Sequence, residues 1–314
     1  MVKEKLSFVI PCYGSEKTIS NVISDIKKTV SGHNPYEIIC VNDSSPDNVY
    51  SVLENLANED KNIKVINLAR NFGQHCALMA GYQYITGDII VCLDDDGQTS
   101  PVDCYKLISA LNDKVDIAFA KYPSKKENVF RLIGSWTAKK MGQWLCSLPP
   151  KIEFNSYFAC KRFIIDEVVK YDNAYPFIDG LLIRVSTKIV NIEIEHHERE
   201  YGKSGYSLRK LVSLWMNEFT SFSVKPLRIA TVCGGILSLS SLLYAVYIII
   251  KKLLNSDMPI GYSSIMCAIL FVGGMLMIML GLIGEYIGRI YIVLNKSPQF
   301  VIRNTLNIDK KTDK

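Results

Sequence analysis

The chain has 314 residues and nine cysteines, yet it contains no Cys-x-x-Cys pair. That excludes the commonest zinc and dithiol spacings, and the odd count argues against a closed disulfide framework. Most of these cysteines stand inside apolar runs, such as Ile38-Ile39-Cys40-Val41 and Ile90-Val91-Cys92-Leu93. They read as small buried hydrophobes of a reducing compartment. No secretory leader is expected either, because the charged start is followed by an apolar run of only Leu6–Ile10. The first domain is therefore expected in the cytosol. Strong net charge is absent too, at +5. Charge itself is missing from two long stretches near the C-terminal end, Ile229–Ile250 and Met258–Gly284.

What is present before those stretches is alternation. Leu6–Ile10, Glu37–Val41, Ile63–Leu68, Ile89–Leu93 and Val115–Ala120 are short, apolar on both faces and rich in β-branched residues. Strands of a parallel sheet covered by helices have this character. Between them, Glu16–Val30 sets Ile19, Val22, Ile23, Ile26 and Val30 on one helical face, and Val49–Leu56 and Ala77–Ile85 have the same period. Strand–helix alternation predicts a doubly wound α/β domain, with ligands bound beyond the carboxyl ends of the strands.

Three polar motifs fall at those ends. Asp94-Asp95-Asp96-Gly97-Gln98 follows the fourth strand. Three adjacent carboxylates repel one another, so a cation is expected there, and hard oxygen ligands suit Mg²⁺ or Mn²⁺. Residues i and i+2 share a side in extended chain, which pairs Asp94 with Asp96. Asn42-Asp43-Ser44-Ser45-Pro46-Asp47 follows the second strand: Asp43 is placed to accept from a nucleoside or sugar hydroxyl, whereas Asp47 reads as a helix cap. Pro11-Cys12-Tyr13-Gly14, with Glu16 beyond, follows the first, and Tyr13 could stack on a base. His196 and His197 read as polar residues at a strand end.

At about 1.5 Å per residue, 229–250 would span about 33 Å, enough for a hydrocarbon core of about 30 Å. The run 258–284 is longer still, and Gly273, Gly274, Gly281 and Gly284 would allow close helix contact in lipid. Lys225 and Arg228 precede the first run, and Arg289, Lys296, Arg303, Lys310, Lys311 and Lys314 follow the second. The positive-inside rule then puts both ends in the cytosol. Two further segments mix basic and aromatic residues in the manner of a membrane interface: Tyr122–Pro150 and Leu208–Val224. The expected order is a catalytic domain over 1–207, an interface segment over 208–228, membrane helices over 229–250 and 258–284, and a basic cytosolic tail over 285–314.

The motifs in this order resemble glycosyltransferase family 2, of the GT-A fold, and Asp94–Gln98 matches its DxD metal motif. Arg70-Asn71-Phe72-Gly73-Gln74, then Asp94–Gln98, then Arg199-x-x-Gly202-x-Ser204-x-Tyr206, then Phe222-Ser223-x-Lys225-Pro226-Leu227-Arg228 before two apolar runs, is similar to the polyprenyl-phosphate glycosyltransferases. The resemblance implies that Pro11, Tyr13, Glu16 and Asp43 hold the nucleoside. It implies that Asp94, Asp96 and Gln98 surround the metal and diphosphate. Arg199, Lys203 and Ser204 then lie in a loop that closes over phosphates, Arg70 belongs to the nucleotide-sugar site, and Asp95, Asp96 and Arg199 take catalytic positions. An acidic residue common in the family is replaced here by Asn155 or Ser156. The implied reaction is inverting transfer of a single hexose from a UDP-sugar to undecaprenyl phosphate at the cytosolic face of the inner membrane. Partners are the nucleotide sugar, the lipid phosphate, the membrane and possible further copies of the chain in a tetramer; no nucleic acid is expected. A processive polysaccharide synthase would carry Gln-x-x-Arg-Trp and more spans, and neither occurs. A non-catalytic nucleotide-binding membrane protein is the other alternative, and the intact acidic cluster argues against it.

Overall fold

Apolar faces dictate the layers. Leu6–Cys12 (β1), Tyr36–Asn42 (β2), Ile63–Leu68 (β3) and Ile89–Cys92 (β4) are almost wholly buried, as strands covered on both sides must be. Helices Ile19–Val30 (α1), Val49–Glu59 (α2), Gln74–Tyr82 (α3) and Cys104–Ala110 (α4) connect them. In α1 the buried residues are the predicted face: Ile19, Val22, Ile23, Ile26 and Val30. Then follow Ile117–Lys121 (β5), Phe158–Lys161 (β6), Arg162–Val168 (α5), Ile178–Val185 (α6), Ile189–Glu193 (β7), Tyr262–Leu294 (α7) and Ile302–Leu306 (β8). The computed structural model describes residues 4–122, 152–194, 261–295 and 297–308, with scattered positions between 232 and 250.

The strands form one sheet in the order β7-β5-β6-β4-β1-β2-β3-β8. Pairs β1–β2, β2–β3, β1–β4 and β5–β7 are parallel; β4–β6, β5–β6 and β3–β8 are antiparallel. The chain winds from β1 out to β3, then returns to the other side of β1 for β4. The strand order therefore switches between β1 and β4, which is where a doubly wound sheet opens a crevice at its carboxyl end. α3 is buried along its length, and a Cβ on Gly81 would stand 2.6 Å from Val9 Cγ1. Only glycine lets this helix lie so close to the sheet. The six cysteines with described side chains, Cys12, Cys40, Cys76, Cys92, Cys104 and Cys160, are buried free thiols.

The chain divides into two compact units, 1–208 with 296–314, and 209–295. The expected tail over 285–314 needs correcting. α7 runs through Glu285 and Arg289 to Leu294, and 302–306 return to the sheet as β8 beside β3. β8 was hidden from periodicity because two of its five residues, Arg303 and Asn304, are polar and exposed. Among the described residues of the second unit one helical stretch, Phe271–Ile292, is long and apolar enough to cross a membrane. The described positions of 229–250, among them Val232, Ile236, Leu243 and Tyr247, are helical, and all but Gly234 are exposed. Gly273, Gly274, Gly281 and Gly284, expected to permit close helix contact, have no described neighbour within 4 Å of a Cβ; Gly234 does, with Met279 Cε at 2.7 Å.

Candidate active site

Loops at the carboxyl ends of β1 and β2 are sewn together by side chains. The Ser45 hydroxyl accepts from the Gly14 amide at 2.8 Å and donates to Asp47 Oδ1 at 2.6 Å. Asp47 Oδ2 accepts from the Glu16 amide at 2.9 Å, and Glu16 Oε2 accepts from the Asn48 amide at 3.2 Å. Asp47 also accepts from the amide of Val49, the first residue of α2, although the N-cap position itself is Asn48. Ser44 sits at φ 51°, a left-handed conformation that costs a non-glycine residue about 1 kcal/mol or more. The hydrogen bonds on either side of it hold that conformation in place. Tyr13 stands out from this platform, 53% exposed.

Asp43 is buried, and both its oxygens are taken by the chain. Oδ1 accepts from the Phe72 amide at 2.7 Å and Oδ2 from the Gly73 amide at 2.8 Å. Burial pushes its carboxyl up, against the two amides that pull it down. Asp43 anchors the Arg70–Gln74 loop through both of its oxygens. Pro11 lies buried inside β1 in register with Val41. In the anchored loop the Arg70 guanidinium lies 4.6 Å from the centre of the Phe72 ring, and Gly73, at φ 91°, starts α3.

The acidic turn separates its carboxylates rather than gathering them. Asp95 Oδ2 accepts from the Tyr13 amide at 2.9 Å, and its carbonyl accepts from Thr18 Oγ1 at 2.6 Å. Burial raises the Asp95 carboxyl to about 6. Asp94 turns the other way, accepting from Gln74 Nε2 at 2.9 Å and from the Ser156 hydroxyl. Asp96 Oδ1 accepts from the Gln98 amide at 3.0 Å. Tyr122 sees Asp94 and Asp96 together: its phenol is pushed up to about 12, first by burial, with the charge of Asp94, Asp96 and Asp103 adding to it. Asp95, by contrast, faces β1 through its bond from the Tyr13 amide. Repulsion among three neighbours is eased by donors from three directions, and no group of three His, Cys, Asp or Glu side chains that could hold a metal exists among the described residues. Two half-exposed carboxylates with hard oxygen donors still fit a divalent cation.

Sequence reasoning missed Gln74, Ser156, Tyr122 and His75. Ser156 entered only as a departure from the family pattern, yet its hydroxyl holds Asp94. His75 follows Gln74 in α3, packs edge-on against Phe177, and has a buried Nδ1 without a partner; burial lowers its ring to about 4, so it is neutral. Arg199, Lys203 and Ser204 lie outside the described residues, as do His196, His197, the interface segment 208–228 and nearly all of Tyr122–Pro150.

Residues 7–168 match glycosyl transferase family 2, and residues 225–290 match the GtrB C-terminal hairpin. The chain belongs to glycosyltransferase family 2. The enzyme is 31% identical over 319 residues to an undecaprenyl-phosphate 4-deoxy-4-formamido-L-arabinose transferase of Proteus mirabilis, covering 98% of this chain and 95% of that one. An uncharacterized glycosyltransferase of Synechocystis is 30% identical, covering 97% of this chain and 96% of the other. Among solved structures, glucosyl-3-phosphoglycerate synthase of Mycobacterium tuberculosis with Mn²⁺, UDP-glucose and phosphoglyceric acid superposes with a TM-score of 0.54. It has 17% identity and covers 70% of this chain and 78% of that one. This likeness shows the shared GT-A fold of this glycosyltransferase.

Proposed function

We propose that this glycosyltransferase transfers one sugar from a nucleotide sugar, UDP-linked and most simply a hexose, to undecaprenyl phosphate, with inversion at the anomeric carbon. The observation that carries the reading is that the Tyr13 loop after β1 and the Asp94–Asp96 turn after β4 meet at the switch in strand order, where Asp95 accepts from the Tyr13 amide. The family's nucleotide sugars need an aromatic or polar platform for the base and oxygen ligands near the diphosphate. Near-full-length similarity to undecaprenyl-phosphate transferases supports the lipid acceptor. The apolar stretch Phe271–Ile292 supports a membrane setting. Two spans, with the catalytic domain and both ends at the cytosolic side of the inner membrane, complete the proposal.

A phosphate monoester is mostly dianionic at pH 7, with a second pKa near ~6, so the acceptor is already a nucleophile. One phosphate oxygen bonds to the anomeric carbon as the bond to the nucleoside diphosphate breaks. No side chain need remove a proton, which agrees with Asn155 and Ser156 at the family's acidic position. The residues supply alignment and charge compensation. Tyr13 orients the nucleoside, Gln74 and Ser156 hold the Asp94 rotamer, and Arg70, Arg199, Lys203 and Ser204 offset phosphate charge. Asp94, Asp96 and Gln98 would hold Mg²⁺ or Mn²⁺, whose charge stabilises the departing diphosphate.

The test uses the full chain in detergent with undecaprenyl phosphate, Mg²⁺ or Mn²⁺ and a panel of UDP-, GDP- and dTDP-sugars. Nucleoside diphosphate release with a one-sugar gain in lipid mass, abolished by EDTA, is expected. Release without a lipid product would reject the acceptor, and silence across the panel would reject the reaction.

A further inference from the structure

Asparagine is a poor strand residue, yet three stand side by side at one level of the sheet. Asn42 in β2 is in register with Asn67 in β3, and Asn67 with Asn304 in β8. Asn42 and Asn67 are buried, where an unsatisfied amide would be costly. Their side chains form a ladder with one direction. Asn304 Nδ2 donates to Tyr50 Oη at 2.5 Å, Asn67 Nδ2 to Asn304 Oδ1 at 2.9 Å, and Asn42 Nδ2 to Asn67 Oδ1 at 2.9 Å. The last acceptor, Asn42 Oδ1, takes the Ser45 amide at 3.1 Å. Ser45 is the residue whose hydroxyl holds Gly14, next to Tyr13. Hydrogen bonds aligned head to tail polarise one another, so each rung depends on the next.

We propose that Asn304, on the last strand of the chain, is a positioning residue for the donor, acting through Asn67 and Asn42 on the Ser45–Gly14 platform that carries Tyr13. β8 does not need Asn304 to stay in the sheet. The Ala69 amide donates to the Val301 carbonyl at 2.8 Å, and Asn307 Nδ2 donates to the carbonyls of Ala57 and Ile63 at 2.5 and 2.8 Å. The ladder therefore adds something other than strand attachment. It makes a residue C-terminal to α7 part of the donor side of the site. The proposal deepens the transferase reading and rests on it for the donor.

The experiment compares Asn304→Ala, Asn304→Val, Asn304→Asp and the neighbouring control Thr305→Ala in the full-length protein in detergent. Asn304→Val restores a good strand former in case the alanine variant does not fold. Asn304→Asp keeps the oxygen that accepts from Asn67, and Tyr50 can turn to donate to it. Loss of one ladder bond predicts a KM for the nucleotide sugar raised about fivefold to tenfold in the alanine and valine variants, with kcat unchanged. The aspartate variant and the control should match wild type. Hydrogen exchange without substrate is the second arm: the Ser45 amide should exchange faster in the alanine and valine variants alone. Unchanged exchange at Ser45, or equal KM effects in Thr305→Ala, would overturn the proposal. Absence of turnover in the wild type would reject the transferase reading, while the exchange arm still decides the ladder.

Discussion

The two ends of the sheet use carboxylates in opposite ways. At the amino end, Glu37 is buried and surrounded by donors: Ser7 Oγ at 2.5 Å, Lys64 Nζ at 2.8 Å, and the amide and hydroxyl of Thr86 at 2.5 and 2.7 Å. Lys5 adds a cation at 3.4 Å. Burial alone would raise this carboxyl, but the donors overrule it and hold it down at about 2. At the carboxyl end, Asp95 has fewer donors, and burial prevails, raising it to about 6. Asp94 and Asp96 stay half-exposed there. A saturated carboxylate can only hold structure together. One with room in its coordination can meet a ligand, and in a doubly wound sheet that room lies at the carboxyl end.

The contrast can be broken in four ways. The largest effect is expected from Asp96→Ala: turnover should fall by at least about a thousandfold, roughly 4 kcal/mol, with the melting temperature unchanged. A fully active variant would remove Asp96 from the site. Next is Glu37→Ala, which strands Lys64 beside a buried hole; stability should drop by about 3 kcal/mol in chemical denaturation, with KM and kcat intact. The same carboxylate sets a pH dependence. Its folded pKa lies below the ordinary 4.5, so its contribution is fully present above pH 4.5 and is lost as pH falls toward about 2. Wild type should weaken across that window by about 3 kcal/mol more than Glu37→Gln does, and parallel curves would contradict the assignment. The smallest effect is expected from Gly87→Ala, whose Cβ would stand 2.6 Å from Ser7 Oγ and 2.7 Å from the Lys5 carbonyl. A loss of about 1–3 kcal/mol with normal turnover would place this contact with the structural end.

Much of this was legible beforehand. The five predicted strands all exist, within two residues at each end, because their apolar runs and the 3.6-residue period of α1 are local signals. The acidic turn and the Tyr13 loop could be placed at strand ends for the same reason. What each side chain bonds to was not legible. Asp43 reaches Phe72 and Gly73 across 29 and 30 positions, Ser156 reaches Asp94 across 62, and Asn304 reaches Asn67 across 237. Hydrogen bonds at such separations depend on which strands become neighbours, and no periodicity encodes that. By itself, then, the sequence determined the layers, the family and the end of the sheet where chemistry can occur. Only the tertiary structure decided which side chains hold each carboxylate, because the donors come from segments distant in sequence, as Lys64 and Thr86 do for Glu37 and Ser156 does for Asp94.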